Sequence, residues 1–154
     1  EPSILGPTGT KTTMTTDFVA RLPRHAFNLL TGVLGCAYLL YAWCEPLMRL
    51  AIGTTLLTTV SFHGAHCAGC SEFSDAHLMM YDVGAVVITS AALVFLTDGP
   101  ARDEVLVSDA ALLGVWLLTF GPLRGIPFNP IQCVLHVGAV VQHVRAMRTV
   151  CVPA

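Results

Sequence analysis

His63, His66, Cys67 and Cys70 stand at positions i, i+3, i+4 and i+7, so a helix running through them carries all four on one face. Imidazole and thiolate are donors that zinc accepts, and a buried histidine can ligate haem iron. One straight helix cannot close a tetrahedron around a metal, and Cys67-Ala-Gly-Cys70 lacks the histidine that a covalent haem motif places next. These histidines are therefore expected to hydrogen-bond inside a packed bundle or to touch lipid head groups. Glu45, next to Pro46 and close before Arg49, is expected in an interfacial ion pair at a helix end. Asp75, His77 and Asp82 form a further titratable group, which suits a quinone site or proton relay and equally suits polar residues at a helix entrance. His136 and His143 lie seven apart, again on one helical face. Nothing matches a nucleophile elbow, a phosphate loop or a dinucleotide fingerprint.

The elements that must position these residues are apolar. Of 154 residues, 12% are charged and 54% apolar, against roughly 25% charged in soluble domains. Mean hydropathy is +0.68. A net charge of −2 with a single lysine, Lys11, offers no basic surface for nucleic acid. The composition excludes a soluble enzyme and a disordered tail and predicts a membrane protein.

Residues 26–44 carry no charge and supply about 28 Å of helix, close to the ~30 Å hydrocarbon thickness of a bilayer. Tyr41 and Trp43 sit where interfacial aromatics belong. A second run, 50–71, is rich in Thr, Gly, Ser and Ala, which favours close packing among neighbouring helices over lipid contact. A third, 83–97, is apolar and ends at Asp98-Gly99-Pro100. Residues 105–118, which include Asp109, and 131–144 are shorter, and Gly121-Pro122, Pro127 and Pro130 break the chain between them. The fold expected is all-α: a polytopic membrane helix bundle with three membrane helices and up to five. An extended, water-facing arm over 1–25, the bundle over 26–148 and a tail over 149–154 complete the division. The six cysteines, at 36, 44, 67, 70, 133 and 151, could form disulfides, but five lie in or beside apolar stretches and read as buried thiols behaving as small hydrophobes. Arginines flank several loops without bias, leaving the topology open.

The stretch Gly53-Thr-Thr-Leu-Leu-Thr-Thr-Val-Ser-Phe-His-Gly-Ala-His66 resembles a helix of cytochrome c oxidase subunit III. Gly53, Thr55, Phe62, His63, Gly64 and His66 match that family's pattern, as do Ser71 and Phe73, and Gly35 and Glu45 reproduce the spacing of its preceding helix. The chain departs from the family at Cys70, where a glycine belongs, and at Tyr41-Ala-Trp-Cys, where a polar residue is lost. The marker of the family's last helix has no clean copy; 83–97 after Asp82 and the segment from Leu135 are its two candidates. The resemblance covers residues 28–73 and corresponds to the C-terminal part of a longer, seven-helix subunit, either split or shortened.

The resemblance implies a multi-pass protein of the mitochondrial inner membrane, packed beside the catalytic oxidase subunit and beside a missing N-terminal part of subunit III. It implies a subunit that holds phospholipid and supports electron transfer to oxygen and proton pumping. Haem a and copper belong to partner subunits and no cofactor or metal to this chain. His63, Gly64, His66, Glu45 and Arg49 would then serve lipid binding or helix packing, and no residue is catalytic. Two alternatives stand beside it. A succinate dehydrogenase membrane anchor would bind haem b and quinone, with His63 or His66 as haem ligand. A lineage-specific structural subunit of a respiratory or ATP synthase complex would match no family.

Overall fold

Proline and glycine set the helix boundaries. The computed structural model describes the backbone of residues 10–68, 75–120 and 130–151, and the side chains of 22–68, 77–118, 131 and 133–151. It holds five helices and, among the described residues, no strand: α1 (Thr10–Ala42), α2 (Pro46–Cys67), α3 (Asp75–Leu96), α4 (Gly99–Phe120) and α5 (Pro130–Val150). Pro46 opens α2 at a position where its missing N–H costs nothing. Gly99 adopts φ +55° and lets α4 leave two residues after α3 ends. Arg102 finishes that corner. Its Nε donates to the carbonyls of Val94 (3.1 Å) and Thr97 (2.8 Å), and its Nη2 to Asp98 (2.9 Å), so a cation satisfies the free carbonyls at the end of α3.

The helices close into a ring in which α1 packs on α2 and α5, α2 on α3, and α4 on α5, while α3 meets α4 and α5 only sparsely. Short connections make α1–α2 and α3–α4 antiparallel hairpins. Glycine sets the closest approaches. A Cβ on Gly32 would lie 2.7 Å from the Thr59 methyl, and one on Gly35 would overlap Val140. Gly64, by contrast, has nothing within 4 Å of a built Cβ, so it mediates no close approach.

An apolar core of Cys36, Leu39, Trp43, Met48, Ala51, Ile52, Leu93 and Val105 seals one end of the ring. Polar side chains occupy the interior below it, including His25, Asn28, Thr59, His63, Asp82, Gln142 and His143, all buried. Large apolar side chains face outward instead: Leu30, Leu34, Leu57, Val87, Phe95 and Val107 are more than half exposed. The exposed charges among the described residues (Arg49, Asp98, Asp103, Glu104, Arg145 and Arg148) gather at the sealed end. Two helical segments, Leu22–Ala42 and His77–Leu96, are long and apolar enough to cross a membrane. That is one fewer than the three expected, because threonines, glycines and histidines dilute α2.

Three expectations need correction. Residues 10–25 are helical and belong to α1, where an extended arm over 1–25 was expected; the helix runs through Pro23, and His25 is buried. Cys44 and Cys151 are not thiols but a disulfide that ties the ends of α1 and α5 across 107 residues. Trp43 is 2% exposed and part of the core, so of the two aromatics expected at the interface only Tyr41 faces outward. The breakers at 121–129, together with Cys70, Ser71, Glu72 and Phe73, lie outside the described residues.

Candidate functional site

The polar interior converges on His63. Two turns of α2 separate Thr55 from His63, and α1, α3 and α5 each bring a partner to that level. Arg24 Nη2 donates to His25 Nε2 (3.1 Å), and His25 Nδ1 lies 2.9 Å from His63 Nδ1. His63 Nε2 has no hydrogen-bond partner and lies 3.9 Å from Asp82 Oδ2. Thr59 donates to the other oxygen of Asp82 (2.8 Å). His66 stacks on His25 at 4.0 Å, its Nδ1 donating to the Phe62 carbonyl, and His136 of α5 packs edge-on against His63.

These partners dictate where the protons sit. A guanidinium only donates, so His25 Nε2 accepts and the hydrogen of a neutral His25 is on Nδ1. His25 Nδ1–H therefore donates to His63 Nδ1, which leaves the hydrogen of His63 on Nε2, aimed at Asp82. The result is a polarised chain from Arg24 through His25 and His63 to Asp82, cation at one end and carboxylate at the other. Its last step, 3.9 Å, is too long for a direct hydrogen bond. An oxygen about 2.8 Å from both atoms would complete it. A group that accepts from His63 Nε2–H and donates to Asp82 Oδ2 satisfies both sides, as a water molecule or the hydroxyl of a ligand does. Asn28, nearly one turn beyond His25, adds a buried Oδ1 without a partner.

His63 and Asp82 line a cavity of about 410 Å³, with His63 Nε2 itself fully buried. Arg24, His25, Asn28, His63, Asp82 and His136 line its polar end; Val86, Val87, Leu112, Leu113 and Trp116 line the side where α3 and α4 part. Val87 and Leu113 are more than half exposed, so the cavity opens sideways through that gap. A mostly apolar cleft with a few convergent polar groups is the usual form of a small-molecule site.

Metal ligation fits less well. Among the described residues no group of three His, Cys, Asp or Glu side chains is arranged to hold a metal ion. His25 and His63 share a hydrogen bond at 2.9 Å, shorter than the roughly 3.3 Å between two nitrogens bound tetrahedrally to one ion at ~2.0 Å each.

The expected site residues divide. His63 and His66 come together with His25, His136 and Asp82, whereas Glu45 and Arg49 lie at the other end of α2, joined by a backbone hydrogen bond from Arg49 N–H to the Glu45 carbonyl (3.1 Å). Cys67 is a free, half-buried thiol and His77 is exposed; the side chain of Asp75 lies outside the described residues. Sequence reasoning missed His25, Asn28 and Thr59. The signal for His25 was its place directly after Arg24 at the start of an uncharged run. No protein-family model, no curated protein and no solved structure matches the chain.

Proposed function

We propose that the chain is an integral membrane protein that binds an amphipathic, hydroxyl-bearing molecule of the lipid class in the cavity between its helices. The observation that carries this reading is the open step between His63 Nε2 and Asp82 Oδ2, which one hydroxyl completes from both sides. The arrangement around it supports the same reading. Polar side chains point inward and apolar ones outward, the inverse of a water-soluble bundle and the arrangement a bilayer favours. The cavity opens towards the lipid-facing side between α3 and α4, so a ligand dissolved in the bilayer enters without crossing water.

This reading agrees with the lipid-holding role that the resemblance to oxidase subunit III implies, and that resemblance motivates placing the chain as an auxiliary subunit of a mitochondrial respiratory complex. It assigns His63 to a ligand site and leaves His66 to packing, stacked on His25. Haem b ligation by His63, as in a succinate dehydrogenase anchor, has less support, since the His63 nitrogens already face His25 and Asp82.

The test is to purify the full chain in mild detergent and identify the retained lipids by mass spectrometry. Hydroxyl-bearing species enriched over the bulk membrane, and lost from Asp82→Asn and His63→Phe, are expected. Identical lipid profiles in all three proteins would refute the reading. A reduced-minus-oxidised spectrum of the native complex assigns its surroundings. An a-type haem in partner subunits supports the oxidase placement; a b-type haem that disappears with His63 replaces the ligand site with a haem site.

A further inference from the structure

A second cluster of polar side chains lies in the same cavity, two turns of α5 away from His136. Asp109 of α4 accepts from Gln142 Nε2 (2.7 Å) and from Ser90 Oγ (3.3 Å). Gln142 Nε2 also faces the Val105 carbonyl at 3.3 Å. Both neighbours of that nitrogen are acceptors, which fixes the amide with Oε1 turned the other way. Gln142 Oε1 has no partner. His143 Nδ1 donates to the Ala139 carbonyl, so in the neutral ring Nε2 is an acceptor, and it too has no partner. Gln142 is 8% exposed and His143 6%, and both line the cavity. An orphaned polar atom at such depth is costly unless something satisfies it. Both acceptors are closed off as the helices stand, so a donor from the cavity reaches them only by displacing the side chains that cover them.

We propose that Gln142 and His143 form a second anchoring point for the bound molecule, which takes a hydrogen-bond donor, a hydroxyl or an ammonium group, with Asp109 and Ser90 holding Gln142 in place. The inference rests on the reading of the His63–Asp82 gap as a ligand site and narrows its ligand. His136 and His143 are seven residues apart, which is about 10 Å along a helix. The molecule is therefore elongated and largely apolar. It carries a hydroxyl at the end held by His63 and Asp82 and a second donor about 10 Å further in. Water at the second point would satisfy the same two atoms but would give the ligand no reason to carry a second donor.

The experiment compares two probes of one chain length on the full protein in detergent: octanol, and octanediol with a hydroxyl at each end. Binding is read from the probe-dependent shift in Tm. Octanediol is expected to bind about tenfold more tightly than octanol. Gln142→Leu and His143→Phe should each lose most of that preference and keep octanol binding, whereas Asp82→Asn should weaken both probes. Equal affinity of the wild-type protein for the two probes overturns the second anchoring point and leaves the first reading standing. A diol preference that survives in both Gln142→Leu and His143→Phe overturns it as well. Failure of the wild-type protein to bind either alcohol removes both. Each variant is first checked for helix content and for an unshifted melting transition without probe; if one fails to fold, Gln142→Met or His143→Gln replaces it.

Discussion

At the residue scale, His63 is the group on which most depends. It continues a chain of donors that begins at Arg24, and its removal leaves the buried His25 Nδ1–H without its acceptor. His63→Phe keeps the ring volume and is expected to destabilise the protein by about 1–3 kcal/mol, the cost of buried groups left unpaired. His77→Ala, at an exposed position on α3, should stay within about 0.5 kcal/mol. Reversible unfolding in mixed micelles measures both. Equal effects from the two substitutions would mean that His63 does no more than fill space.

At the element scale, the ring of helices is held where glycine lets backbones approach. Gly35 faces Val140 and Gly32 faces Thr59, so a methyl at either must push a neighbour aside. Gly35→Ala is expected to cost about 1–3 kcal/mol through overpacking. Gly32→Ala should cost a similar amount and also loosen retained lipid, because the displaced Thr59 is the donor to Asp82. Gly64→Ala meets open space and should be neutral, or stabilising by up to about 1 kcal/mol through helix propensity. Melting temperatures of the three variants check the order, and a Gly64→Ala that proves the most damaging of them would contradict this packing.

At the scale of the whole molecule, the disulfide decides orientation. Disulfides persist in oxidising compartments, so on the membrane reading proposed above the end that holds Cys44 and Cys151 is expected to face one, and the opposite end, where Arg24 lies, the reducing side. Charge alone does not choose, since basic residues occur near both ends, and at the sealed end Arg145 is paired with Glu104 and Arg102 with Asp98. In sealed vesicles of known orientation, an impermeant maleimide added after mild reduction should label Cys44 and Cys151 only from the oxidising side. Labelling from the other side would invert the topology. Cys44→Ser should lower stability by about 2–4 kcal/mol, read as a fall in Tm that reducing agent produces in the wild-type protein but not in the variant.

The sequence by itself determined the helical, apolar character of the chain and most helix boundaries. Both are local: uncharged runs such as 26–44 favour a hydrogen-bonded helix, and Pro46, Gly99 and Pro130 each open a new one. It also brought His63 and His66 forward, because their spacing is readable on one helix. Tertiary structure decided what those residues meet. His25 is 38 residues from His63, Asp82 lies on the next helix, and Cys44 finds Cys151 over 107 residues. Pairings at such separations depend on which helix faces which, and that was set by Gly32, Gly35 and the apolar core around Trp43 rather than by the polar residues themselves. Of the arm expected over 1–25, residues 10–25 are helical instead for the same reason: their Thr and Pro content reads as extended in isolation, while His25 is buried only once α2 packs against it.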